Sequence, residues 1–235
     1  MKTLILTITV LLLASSVMAD SEVLDYNDIE DTWIHGSTNS GKNWGGEDYF
    51  VTDLIAAGVF LMRINTDDVL TTSVVDSVHI TLSQDVGDPG TLDLYLGLTD
   101  FTEGTLFGTA PTDTDPGGAT WDNTYDSAGT GEDVAWADAG DFGSQDYRTD
   151  PLDTVTGASG DVIFGTGADT AVINVFQDFI SGDNTIKVLI VAENPDSEDK
   201  TVYHRSTESA ESLRPKITVW YHAAASGGTR VGVRK

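Results

Sequence analysis

"SVHITLS", residues 77–83, alternates strictly: Val78, Ile80 and Leu82 face one way, and Ser77, His79, Thr81 and Ser83 face the other. A period of two is the mark of a strand with one face buried. The pattern recurs in "TLDLYLGL" (91–98), through Leu92, Leu94, Leu96 and Leu98. It recurs again in "KITVWY" (216–221), where Ile217, Val219 and Tyr221 oppose Lys216, Thr218 and Trp220. "GVFLMRI" (58–64) and "IKVLIVA" (186–192) are apolar on both sides, as central strands covered on both faces are. Gly, Asp, Thr and Pro clusters separate these runs and supply turn chemistry. One segment departs from the pattern. In "TAVINVFQDFISG" (170–182), Val172, Val175, Phe176 and Phe179 recur at three- and four-residue spacing before Gly182, which predicts a short helix with a glycine stop. The expected fold is all-β, a jelly-roll β-sandwich with one short helix and long loops.

The first nineteen residues, with Lys2 ahead of the apolar run Leu4 to Leu13 and small residues at Val17 and Ala19, read as a signal peptide cleaved before Asp20. Residues 20–224 are expected to form the sandwich domain. Residues 225–235, with Arg230, Arg234 and Lys235, are expected to form a flexible basic tail. No later run is apolar for long enough to form a transmembrane segment. The expected location is extracellular or at the cell surface.

Thirty-eight acidic residues stand against twelve Lys and Arg, for a formal charge of −26. No basic face for nucleic acid can be assembled from so few cations. The excess suits either solvation in salty water or calcium binding, and the two are compatible. Cysteine is absent, so the domain relies on its core rather than on disulfides.

The segment from Gly108 to Gly160 is poor in aliphatic residues, yet it holds Trp121, Tyr125, Trp136, Phe142 and Tyr147. That aromatic content predicts ordered loops at one end of the sandwich, where binding sites are commonly built.

Several motifs occur in a recognisable order. Asp31, Thr32 and Trp33 are followed by Asn43, Trp44 and Gly45; "VFLMRI" with Arg63, "SVVDSVHITLS", "ATWDN", "AWADAGDF" and the helix segment come next; Arg214 and Pro215 then open the closing strand. Over residues 25–221 this order resembles secreted DNRLRE-type domains. The chain departs from that pattern near Val59, where an Arg is common, and in its longer Asp-rich middle. The resemblance implies a non-catalytic jelly-roll domain akin to carbohydrate-binding modules, some of which bind uronate-rich polysaccharide; the family also occurs in envelope and surface proteins.

A sugar site combines an aromatic platform with a few hydrogen-bonding groups. Trp44, Tyr125 and Trp136 lie in turns where a ring can be exposed, whereas Trp33 and Trp121 match core positions. Arg205 is the candidate polar contact, although the leading reading has Arg205 and Arg214 hold the Glu208–Glu211 loop against the sandwich. For a structural calcium, Asp113, Asp115 and nearby Asp122 offer oxygen ligands around the Gly117 turn. The clusters at Asp25, Asp28 and Asp31 and at "NPDSEDK" (194–200) are alternatives. The four histidines have no zinc spacing. Tyr203, His204 and Arg205 resemble a lyase set in composition, but neighbours on a strand face opposite ways.

The expected function is a secreted, calcium-stabilised, carbohydrate-binding-like module for extracellular or cell-surface polysaccharide. The rival is a structural envelope, matrix or fibre subunit that self-associates, and a polysaccharide lyase is a remote alternative.

Overall fold

The structure is a computed structural model and describes residues 20–224, except 26, 37–39, 53–57, 88–89, 107, 109, 111–116, 127–132, 138–141, 157–159, 168 and 195–201. The expected signal peptide, the basic tail, Asp113 and Asp115 therefore lie outside the described residues, as does most of "NPDSEDK".

The chain runs through β1 (Asp20–Leu24), β2 (Ile29–His35), β3 (Tyr49–Thr52), β4 (Gly58–Ile64), β5 (Ser73–Gly87) and β6 (Thr91–Leu96). It continues through β7 (Asn123–Tyr125), β8 (Val134–Ala135), β9 (Asp153–Thr156), β10 (Asp161–Phe164), α1 (Thr170–Ser181), β11 (Val188–Glu193), β12 (Val202–Arg205) and β13 (Lys216–Ala223). One antiparallel sheet has the order β1-β13-β5-β12-β3, with β10 also pairing to β5. The second has the order β2-β4-β11-β6-β9, and β7 and β8 form a small ribbon. The first six strands alternate between the two sheets, the chain path expected of a jelly roll.

The alternation read from the sequence maps onto burial. Val78, Ile80 and Leu82 of β5 and Ile217 and Val219 of β13 are buried between the sheets with Phe60 and Met62 of β4 and Leu92, Leu94 and Leu96 of β6. Phe50 of β3 stacks on Phe60 with ring planes 1° apart, joining the two sheets across the core. A bulge between Trp220 and Tyr221 shifts the register of β13 against β5, yet Tyr221 still packs against this core. Leu98 does not join it: β6 ends at Leu96, and Leu98 is 41% exposed.

The helix occupies its expected span. Asp169 caps its first turn by accepting from the Ala171 N–H at 2.9 Å, and Gly182 leaves it at φ 80°, a left-handed conformation that suits glycine. Val172, Val175, Phe176 and Phe179 face the core. On the other side of α1, Gln177 is hydrogen-bonded to β5, accepting from Val75 N and donating to Ser73 O.

The long middle segment differs from expectation in where it packs. Its described parts lie over the outer face of the five-stranded sheet. Phe101, Ala119, Trp136 and Phe142 form a second buried cluster there with Ile34, Val59, Leu61, Tyr95, Val188 and Ile190. β4 and β11 are thereby covered on both faces, as their unbroken apolar runs require.

Candidate functional site

The second cluster holds the most aromatic cavity among those described. β4 and β11 supply its floor through Val59, Ile190 and Ala192, and β6 supplies Tyr95. The middle segment supplies Trp121, Phe142, Gly143 and Tyr147, and Glu193 stands at the end of β11. The cavity measures about 330 Å³. Its rings hold one another in place: Phe142 stacks on Tyr147 at 5.5 Å, while Trp121 meets Phe142, and Tyr95 meets Tyr147, edge to face. A ring fixed by such contacts loses little freedom when a ligand covers it.

Two buried carboxylates support this wall. Asp93 accepts from the Tyr95 hydroxyl at 2.8 Å, from the Thr154 hydroxyl at 2.6 Å and from the Asn194 amide at 3.0 Å. Burial and that carboxylate push the Tyr95 phenol well above its ordinary range, so it stays a neutral donor. Asp146 accepts from the N–H groups of Ala137 and Gly143 and from the Thr99 hydroxyl, at 2.7–3.0 Å. These bonds set the loop that presents Phe142 and Tyr147.

The Asn43-Trp44-Gly45 turn anchors the start of the segment. The Asn43 amide donates to Glu103 O at 2.7 Å and Ala119 O at 2.9 Å, and its oxygen accepts from Gly45 N and Leu106 N. A β-carbon at Gly45 would lie 2.3 Å from Glu103 O, so only glycine allows this approach.

The predicted sugar contacts sit in separate settings. Trp136 is 4% exposed, with its indole N–H donating to Thr120 O at 3.0 Å; it is a packing residue rather than an exposed platform, because the segment folds onto the sheet. Trp44 lies against Trp33, 4.3 Å between ring centroids, and its ring fills the space a β-carbon at Gly108 would take, so it too is committed to packing. Tyr125 is half-buried beside Arg63 and Asp100 in a shallow depression. Arg205 pairs with Asp48 at 3.3 Å on the six-stranded sheet, and the Arg214 Nε–H donates to Ser209 O at 2.8 Å. Trp121, expected in the core, is only partly buried and lines the cavity.

Of Asp113, Asp115 and Asp122, only Asp122 is described, part-buried next to the Gly41 turn; in the alternative cluster, Asp28 accepts from Asp25 N and the buried Asp31 accepts from Thr207 N. Among the described residues, no group of three or more His, Asp or Glu side chains converges as a metal site.

The lyase-like trio is split. His204 is fully buried, stacked on Phe50 at 5.0 Å, and burial lowers its pKa to about 4. Tyr203 faces the other way, toward Tyr49.

A separate acid pair ties three segments together. The buried Asp31 donates its backbone N–H to Glu103 Oε1 at 3.1 Å, and its carboxylate accepts from Thr207 N at 2.7 Å. Burial raises Asp31 to about pKa 7, opposed by the Thr207 bonds and reinforced by Glu208. Burial and the nearby Asp31 raise Glu103 to about 8.

The aromatic cavity was hidden from sequence reasoning because Tyr95 occupies the position of its strand that alternation assigns to solvent. The one available signal was the density of Trp, Tyr and Phe in a segment with few aliphatic residues. No protein-family model matches the chain, and no curated protein matches it by sequence.

Proposed function

We propose that the chain is an exported, non-catalytic carbohydrate-binding-like module whose sugar site is the aromatic cavity on the outer face of the five-stranded sheet. One observation carries this reading: Tyr95, Trp121, Phe142 and Tyr147 converge on a cavity of about 330 Å³, a size that accepts one sugar ring. A pyranose has an apolar face that suits an aromatic wall, and its hydroxyls suit a few polar groups at the rim. Glu193, which lines the cavity beside the aromatic wall, supplies such a group. Export is inferred from residues 1–19 and extracellular polysaccharide from that export.

Affinity electrophoresis of residues 20–235 through gels loaded with polysaccharides tests the proposal. Trp121→Ala should weaken retention about tenfold or more while the thermal melt stays cooperative. Free migration of the native chain in every gel, or equal retention of Trp121→Ala, overturns the proposal.

A further inference from the structure

The chemistry of the cavity wall narrows the ligand class. None of the nine lining residues is Lys, Arg or His. Aromatic rings attract cations through their electron-rich faces, and four of the nine are aromatic. Glu193 also lines the cavity, and the Asp93 and Asp146 carboxylates stand directly behind Tyr95 and Gly143. Arg63 bonds Glu30 and Asp100, Arg205 pairs with Asp48, Lys187 bonds Thr66 and Lys42 lies over Trp44, and none of these side chains lines the cavity. The formal charge of −26 adds a general field of the same sign.

A uronate entering this cavity would bring a carboxylate toward Glu193 with no cation among the described lining residues to meet it, which is unfavourable in a partly dehydrated site. A hexosamine carrying a free ammonium has the opposite character. Its ring can lie against Trp121 or Tyr147, and its ammonium meets aromatic faces and carboxylates together.

We propose that the aromatic cavity selects sugars bearing a free ammonium group, hexosamine units, over uncharged sugars and over uronates. This rests on the carbohydrate reading of the same cavity.

The test is calorimetric titration of residues 20–235 with three trisaccharides: triglucosamine, its fully N-acetylated form and a trigalacturonate, at about pH 6, where the amines are largely protonated. N-acetylation removes the charge and keeps the ring. Triglucosamine should bind about tenfold more tightly than the acetylated form, and the trigalacturonate should bind least. Two variants tie the effect to the cavity. Trp121→Ala removes a wall, and Ala192→Leu fills the floor without emptying any packing. Each should abolish the preference while leaving the charge of the acidic surface unchanged. Equal affinity for the free and acetylated forms, or tighter binding of the trigalacturonate, overturns the ammonium preference and leaves the carbohydrate reading standing. Binding of none of the three in this titration, together with free migration in every gel above, overturns both. Full retention of the triglucosamine preference in a folded Ala192→Leu variant assigns it to the general acidic surface and overturns the cavity as its seat.

Discussion

Between the two sheets, the buried side chains come from alternate positions of strands, joined by one face of α1, and they are mostly aliphatic or Phe. On the outer face of the five-stranded sheet, the strands supply Ile34, Val59, Leu61, Tyr95, Val188 and Ile190, while irregular backbone supplies Phe101, Ala119, Trp136 and Phe142. Interleaved strand side chains fill the first space. The second is roofed by loops whose shape is set by a few polar anchors, Asn43 and Asp146 foremost. Flat rings held by such loops leave a gap, and that gap is the cavity. A sheet face covered by another sheet makes a fold, whereas a sheet face covered by loops can also make a site.

The sharpest way to test this contrast is to remove one large residue from the inner core. Phe60 is fully buried and stacked on Phe50, so Phe60→Ala should cost about 3–5 kcal/mol, lowering the urea midpoint of the whole domain in one cooperative transition.

The outer core should yield differently. Asn43→Ala deletes donors to Glu103 O and Ala119 O and an acceptor for Gly45 N and Leu106 N. A cost of about 2–3 kcal/mol is expected, and it should be local. Hydrogen exchange should accelerate in residues 101–150 while amides of β5 and β13 keep their protection. Uniform acceleration would mean the two cores are one cooperative unit.

Acidity should act on the seam between them. Asp31 and Glu103, raised to about 7 and 8, hold protons in the folded chain that the unfolded chain gives up, so stability should rise as pH falls through 8 and 7. His204 acts in the opposite sense: its folded pKa of about 4 lies below the ordinary 6.5, so the stability it contributes is lost as pH falls from about 6.5 toward 4. Two raised acids outweigh one lowered imidazole, so melting temperature should climb as pH falls from about 9 to about 5, less steeply below about 6.5, where His204 opposes the rise. Glu103→Gln keeps an acceptor for the Asp31 N–H and should raise the melting temperature at about pH 8 by roughly 3–6 °C, flattening the alkaline limb.

The smallest expected effect concerns calcium at the Asp-rich edge of the outer segment, where Asp122 borders the Gly41 turn. Calcium should raise the melting temperature by about 2–4 °C, chelator should reverse the rise, and Asp122→Asn should remove it. An unchanged melt in calcium discards Asp122 as a ligand.

Much of the inner core was legible in the sequence. Val78, Ile80, Leu82, Ile217 and Val219 alternate with polar neighbours, and α1 shows its period and its Gly182 stop, because strand and helix geometry repeat locally. β4 and β11 were also readable as doubly covered strands from their unbroken apolar runs, though not what would cover their second face. The site was less accessible. Trp44 and Trp136 lie in turn-like sequence that suggests exposure, but the Asn43 anchor and the fold of the middle segment pack Trp44, partly buried, against Trp33 and Gly108 and bury Trp136 over the sheet. Tyr95 stands where alternation predicts solvent, and only the covering segment makes that face an interior.

The amino-acid sequence by itself determined the strands, the helix and its stop, the two-sheet class and the acidic character of the chain, all of which follow from local periodicity and composition. The tertiary structure alone decided that the middle segment closes over a sheet face and which aromatic residues pack or line the cavity. It also decided that Asp31 meets Glu103. Those outcomes depend on contacts between residues far apart in the chain, whose geometry no local pattern encodes.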